Sequence, residues 1–264
     1  MEVTFGSLFA GIGGIDLGFE RAGFTCKWQV EIDDYANKVL EKHWPKVHRE
    51  RDINECGKEN LEWVDVIVGG FPCQDLSYAG RGAGLDGERS GLFFETVRLV
   101  CELRPRIIML ENVAALLTRG LDRVLGTLAA VGYDAEWHCI PAAAVGAPHI
   151  RDRVFIIASA NGGRGGRLQA KAYANSNSMR RERFREEKRG TWPKEQLAGL
   201  LQVVLDDPIP TRSGGGIHDG ISNRVDRLRG LGNAVVPQVA EFIAIQIMEN
   251  YFNATEETNS DPSL

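Results

Sequence analysis

The sequence predicts an α/β protein, a mostly parallel, doubly wound sheet of the Rossmann type carrying a small irregular insertion. Three observations predict it. Short apolar, β-branched runs recur at 3–10, 24–30, 64–68, 105–110 and 154–158, and segments with helical spacing fall between the earlier ones, the alternation expected of βαβ units. The first run ends in a glycine-rich turn, Gly11-Ile12-Gly13-Gly14, that opens straight into a helix. Such a turn lets a ligand approach the backbone and meet the helix N-terminus. Glu31 closes the second run, twenty residues after Gly11, where an acid can bind both ribose hydroxyls of a nucleoside-like cofactor.

Each element follows from local pattern. Residues 3–10 form the first strand, and Ile15, Leu17, Phe19 and Ala22 give the first helix its apolar stripe. Residues 24–30 form the second strand. Asp33 and Asp34 can cap a helix over 33–43, which stops before Pro45. Arg51-Asp52-Ile53 falls where a third strand should end, within reach of a base ring. Residues 64–68 make a buried central strand. Gly69 and Gly70 then break it, and Pro72 fixes the backbone just before Cys73. A thiol leaving a strand's C-terminal end lies in the crevice where open α/β sheets bind ligands. Taken alone it is equally an inert buried thiol. Residues 80–89 are rich in glycine and charge and have almost nothing to pack, which predicts a mobile lid.

A helix is expected from 90 to 103 and a buried strand over 105–110, with Glu111-Asn112-Val113 at its C-terminal end. Glu111 and Cys73 therefore leave neighbouring parallel strands at one edge of the sheet. A carboxyl group behind four apolar residues is part-buried, and burial raises its pKa, as suits a proton donor. A helix over 115–130 and a strand over 133–140 follow. Pro148-His149-Ile150-Arg151-Asp152-Arg153 then leads into 154–158. Arg151 and Arg153, two apart at a strand's start, point to one face, and each is equally suited to a structural salt bridge. Beyond 159 the regular alternation stops, apart from one helical stretch at 195–205. Gly232-Asn233-Ala234-Val235-Val236-Pro237 opens a last amphipathic helix at 237–251.

With 264 residues, 43% hydrophobic and 25% charged, the chain can bury a core as one large domain with a small appendage. The expected division is an α/β domain at 1–158, an insertion at 159–224, a returning segment at 225–252 and a disordered tail at 253–264. Cys26, Cys56, Cys73, Cys101 and Cys139 are scattered, with no C-x-x-C pair. That argues against a disulfide framework or a metal site and for a reducing cytoplasm. No secretory signal pattern and no uncharged apolar run of spanning length is present, so no membrane partner is expected. The net charge of −5 hides an asymmetry: residues 164–194 hold ten Lys/Arg against three Glu, a local +7 on a body of −12. Arg180, Arg181, Arg183 and Arg185 lie at its centre. Such a cluster is either a phosphate-backbone contact or a solvated loop.

In this order the motifs resemble those of the DNA (cytosine-5) methyltransferases, which use S-adenosyl-L-methionine. Phe9-Ala10-Gly11-Ile12-Gly13-Gly14 is similar to that family's cofactor turn, Glu31 to its ribose-binding acid and Ile32 to the residue against adenine. Asp52-Ile53 resembles the pair at the adenine edge, and Gly91-Leu92-Phe93 a further cofactor-side motif. Gly70-Phe71-Pro72-Cys73-Gln74 resembles the nucleophile loop, Glu111-Asn112-Val113 the glutamate motif and Arg151-Asp152-Arg153 the two-arginine motif. Gly232-Asn233-Ala234-Val235-Val236 resembles the last motif, which returns to the cofactor. Outside the insertion and tail the resemblance covers nearly the whole chain. It implies an S-adenosylmethionine-dependent methyltransferase fold of prokaryotic or phage type, acting as a cytoplasmic monomer on duplex DNA.

The resemblance also implies a chemistry. Cys73 adds to C6 of a cytosine, so that C5 becomes nucleophilic toward the methyl group. Glu111 holds or protonates N3, and Arg153 with Arg151 contacts the pyrimidine oxygen and favours the thiolate. Pro72, Leu92, Asn233 and Ala234 complete the cofactor site. Gln74, Ser77, Arg81 and Asn112 stand on the substrate side, with the basic cluster on DNA. The target carbon is inaccessible in a duplex, so the base must be flipped out. Two departures stand out. His149 occupies a position where the family usually has glutamine, and the insertion of about 65 residues is shorter than usual. Three rival readings remain: an RNA cytosine-5 methyltransferase with the same catalytic motifs, a catalytically silent nucleic-acid-binding homologue, and a nicotinamide oxidoreductase. The last gives Cys73, Glu111 and Asn233 no joint role.

Overall fold

A seven-stranded sheet in the order β3-β2-β1-β4-β5-β7-β6 organises the chain. The structure is a computed structural model that describes residues 2–72, 91–145, 147, 151–160, 230 and 234–253. Its strands are β1 (Thr4–Leu8), β2 (Thr25–Val30), β3 (His48–Glu50), β4 (Val66–Gly70), β5 (Ile107–Val113), β6 (Tyr133–Pro141) and β7 (Asp152–Ala160). The helices are α1 (Gly14–Arg21), α2 (Asp34–His43), α3 (Gly91–Leu103), α4 (Leu121–Ala130) and α5 (Pro237–Ile247). β3, β2, β1, β4 and β5 pair in parallel, and β7 alone runs against its neighbours.

Alternate strand residues feed two cores. Ile67, Ile108, Leu110, Val154 and Ile156 face α3 and α4. Phe5, Val66, Val68, Met109, Phe155 and Ile157 face α1 and α5. Both faces are covered, so the central strands read as continuous apolar runs. α2 begins as expected, with the Asp33 carboxylate accepting from Ala36 N–H at 2.9 Å.

Four features of the fold differ from what the sequence predicts. Gly69 and Gly70 do not break β4; both lie inside it, paired with Leu8 and Glu111. They are glycine because of close approach. A Cβ on Gly69 would stand 2.8 Å from the Leu8 carbonyl oxygen, and one on Gly70 would stand 2.8 Å from Glu111 Oε2. β5 does not end before Glu111 but runs through Val113, held on its far side by β7. The helix expected over 115–130 is a 3-10 turn, Ala114–Thr118, followed by α4, the split falling at Arg119-Gly120. The last helix loses α geometry at Ile247 and ends in a single π-helical turn, Met248–Phe252.

β1 pairs with β2 on one side and β4 on the other. The chain's winding reverses there, which opens a crevice at the C-terminal ends of these strands.

Candidate active site

That crevice is a cleft of about 420 Å³, in the range that binds a cofactor-sized ligand. Its lining includes Phe9, Gly11, Ile12, Gly14, Glu31, Ile32, Asp52, Ile53, Pro72, Leu92 and Ala234, together with Glu111, Asn112 and Arg153. Thirteen candidate positions scattered over the first 153 residues of sequence, and Ala234, thus meet in one cavity.

The β1–α1 turn builds one wall of the cleft. Gly11 and Gly13 take φ of 57° and 85°, values that a side chain would strain. Around Gly11 a Cβ would find nothing within 4 Å, so the backbone there is open to a ligand. Phe9, beside them, also has a positive φ of 53°, local strain placed at the cleft wall. Gly13 does not line the cleft. It is the N-cap of α1 and its N–H donates to the Ala10 carbonyl at 2.9 Å, closing the turn.

Glu31 spans this turn. Its Oε2 accepts from Gly11 N–H at 2.7 Å and its Oε1 from Asp33 N–H at 2.8 Å. Each carboxylate oxygen keeps further acceptor capacity, as binding two adjacent hydroxyls requires. Asp52 Oδ1 accepts from the backbone and side chain of Asn54, at 2.9 and 2.7 Å. Ile53 is buried, whereas Ile32, also in the lining, is 66% exposed. A would-be Cβ on Gly230 would approach Ile12 Cγ2 to 3.1 Å, so the returning segment crosses the same turn. Its Ala234 N–H bonds the Gly230 carbonyl at 2.9 Å. These features fit a nucleoside cofactor with a ribose and a base.

The cleft also holds Glu111, only 9% exposed. Its Oε1 accepts from Arg153 Nε at 2.8 Å. Burial pushes its carboxyl above the usual carboxylate range, against the pull of the Arg153 and Arg151 guanidinium groups. Its other oxygen, Oε2, is turned toward Gly70. Arg151 precedes β7 with φ of 33° and is half-buried. Burial, then the neighbouring Arg153 charge, hold its guanidinium below the ordinary value.

Asn112, expected on the substrate side, is 2% exposed. Its Nδ2 donates to the Phe71 carbonyl at 3.2 Å, and its Oδ1 accepts from Val113 N–H at 2.8 Å. It ties the end of β5 to the chain leaving β4. Phe71 packs against Phe93 with ring centroids 5.2 Å apart. Cys73, Gln74, Ser77, Arg81, His149, Arg180, Arg181, Arg183, Arg185 and Asn233 lie outside the described residues, as do the 80–89 segment and the 195–205 stretch. Tyr35 also lines the cleft, on the first turn of α2, and nothing in the sequence singled it out. Asn37 was missed as well. Its Nδ2 donates to the Glu31 carbonyl at 2.6 Å, a support one turn beyond the Asp33 cap that helical spacing could have suggested. Among the described residues no group of three His, Cys, Asp or Glu could hold a metal ion, and no helix is long and apolar enough to cross a membrane.

The profile of the C-5 cytosine-specific DNA methylase family matches residues 3–207. Type II methyltransferase M2.BsuMI of Bacillus subtilis is 39% identical over 161 residues, 58% of this chain and 41% of that one. Type II methyltransferase M.Eco47II of Escherichia coli is 38% identical over 161 residues, 58% and 39% of the two chains. The aligned part thus spans about two fifths of these curated relatives. Among solved structures, a putative DNA modification methyltransferase encoded in an E. coli prophage aligns with TM-score 0.51 and 29% identity, over 60% of this chain and 47% of that one. The Entamoeba histolytica methyltransferase EhMeth aligns over 97% and 99% of the two chains with TM-score 0.64. At 15% identity that likeness concerns the fold alone.

Proposed function

Because the chain belongs to the C-5 cytosine-specific DNA methylase family, we propose that it transfers a methyl group from S-adenosyl-L-methionine to C5 of a cytosine flipped out of duplex DNA. The observation that carries this reading is the cleft itself, with the Glu31 cradle at one end and the Glu111–Arg153 pair at the other. When bound, the cofactor supplies an electrophilic methyl sulfonium. The chain's residues do the rest. Glu31 accepts the ribose hydroxyls, and Ile32 and Ile53 flank the purine. Cys73, two residues beyond Phe71, adds its thiolate to C6 of the cytosine. The electron pair displaced from the ring's double bond is stabilised by Glu111, whose raised pKa suits a proton held at Oε2 and given to N3. Arg153 fixes that carboxyl and lends positive charge where anionic character develops. After transfer a base removes the C5 proton and the thiolate leaves.

Residues 159–224 are proposed as the target-recognition insertion, on the strength of the local +7 charge at 164–194, which suits phosphate contact. Asn233 and Ala234 would return to the cofactor, Gln74, Ser77 and Arg81 would meet the substrate, and the chain would act as a monomer in the cytoplasm. The test is transfer of tritiated methyl from S-adenosyl-L-methionine to duplex DNA, with Cys73→Ser as control. Label in DNA, abolished by Cys73→Ser, is the expected result. Label confined to RNA would overturn the substrate, and full activity in Cys73→Ser would overturn the nucleophile.

A further inference from the structure

Ile32 and Ile53, the two residues proposed to flank the purine, are each bonded through the main-chain carbonyl by an arginine that the chemistry above does not use; Arg51 itself also lines the cleft. Ile32 stands just past the end of β2 with its side chain 66% exposed, so little packing fixes it. Its main-chain carbonyl accepts from Arg51 Nη2 at 2.6 Å, and the same guanidinium nitrogen meets the Asp34 carboxylate. Ile53 begins a three-residue 3-10 turn, Ile53–Glu55, which pairs with no strand. Its carbonyl accepts from Arg98 Nη2 at 2.9 Å and from Cys56 N–H at 3.2 Å. Arg98 stands on α3, where Glu95 and Glu102 hold it at 2.6 and 2.8 Å. Ile32 and Ile53 both line the cleft. The two clasps come from different elements and end on the backbone of two apolar residues that line the same cleft.

A charge-assisted hydrogen bond to a carbonyl fixes position more firmly than a neutral one, and connecting segments otherwise have the freedom of loops. We propose that Arg51 and Arg98 are positioning residues that set the width of the cofactor's purine slot, Arg51 through the Ile32 carbonyl and Arg98 through the Ile53 carbonyl. The proposal rests on the S-adenosyl-L-methionine reading. Neither arginine is assigned a contact with the reacting atoms. A slot of the wrong width weakens binding of the cofactor without altering the step that follows once the site is full.

The test uses the full chain and S-adenosyl-L-homocysteine as probe, with affinity measured by isothermal titration calorimetry. Arg51→Met and Arg98→Met should each weaken binding about tenfold and raise the KM for S-adenosyl-L-methionine to match. At saturating cofactor kcat should stay within about twofold. Arg51→Lys, which keeps a charged donor, should recover most of the affinity, and the melting temperature of the ligand-free variants should stay at the wild-type value. Unchanged affinity in both Met variants overturns the proposal. So does a loss that lowers kcat and ligand-free melting temperature together and that Arg51→Lys does not restore, the pattern of a merely structural residue. Failure of the wild-type chain to bind S-adenosyl-L-homocysteine is a different result, which removes the cofactor reading itself.

Discussion

Substitution of two adjacent glycines should separate stability from chemistry. In Gly70→Ala the new Cβ would lie 2.8 Å from Glu111 Oε2, with other Glu111 atoms at 3.8 Å and beyond. Ordinary contact begins at 3.4 Å, so the carboxylate must retreat by about 0.6 Å. Only the end of a side chain has to move, and the fold should lose no more than about 1 kcal/mol. That end is the proposed proton donor, tied to Arg153 Nε at 2.8 Å. A displacement of this size should lower kcat by about tenfold to a hundredfold. In Gly69→Ala the new Cβ would instead meet the Leu8 carbonyl oxygen at 2.8 Å and Leu8 Cβ at 3.1 Å. Neither can yield without parting β1 from β4, which should cost about 1–3 kcal/mol while leaving Glu111 in place. The assay pairs urea unfolding with kcat at saturating duplex DNA and cofactor. Gly70→Ala with wild-type kcat, or with a larger stability loss than Gly69→Ala, would refute the reasoning.

Two further outcomes follow from buried and bound carboxylates. Asp16 is fully buried, and burial lifts its carboxyl from 3.8 to about 6, against the bonds from Gln29 and Ser7. The folded chain therefore holds this proton more tightly than the unfolded chain. The group's contribution is fully present below about 4 and is lost as pH rises through about 6, a change of up to about 3 kcal/mol. Asp16→Asn should flatten the pH dependence of unfolding free energy in that window, and an unchanged profile would contradict this. Glu31→Ala should weaken S-adenosyl-L-homocysteine binding by about tenfold to a hundredfold, and calorimetry giving wild-type affinity would exclude the ribose role.

The sheet was legible because its signals are local. The β1–α1 glycine turn, the Asp33 cap and the spacing from Gly11 to Glu31 each need only a short window of sequence, and the structure joins Gly11 to Glu31 through a hydrogen bond of 2.7 Å. What the sequence hid depends on contacts between distant segments. Gly69 and Gly70 look like strand breakers until Leu8 and Glu111 are seen against them. The bond from the Asn112 amide to the Phe71 carbonyl, 41 residues earlier, leaves no local mark in the sequence either. The arginine clasps on Ile32 and Ile53 act through backbone carbonyls, which no side-chain pattern records. Strand ends were misjudged where a neighbouring strand prolongs the ladder, as β7 does for β5.

The reversed direction of β7 has a consequence for folding. Every residue from Val154 to Ala158 is apolar and buried, so this strand offers no alternation of oily and wet faces by which to find its register. Sliding it one step along β5 would present nearly the same surface to both cores. The charges at its start do not permit that. Arg151, Asp152 and Arg153 alternate in sign, and in the native pairing Val113 stands opposite Arg153 while Glu111 stands opposite Phe155. One step of slip would put either the Asp152 carboxylate or the Val154 side chain where the Arg153 guanidinium belongs, leaving the buried Glu111 carboxyl beside a like charge or without its ion pair. The ion pair at the cleft thus also works as a pin that aligns the strand, so the group proposed for proton transfer and the group that checks strand register are the same.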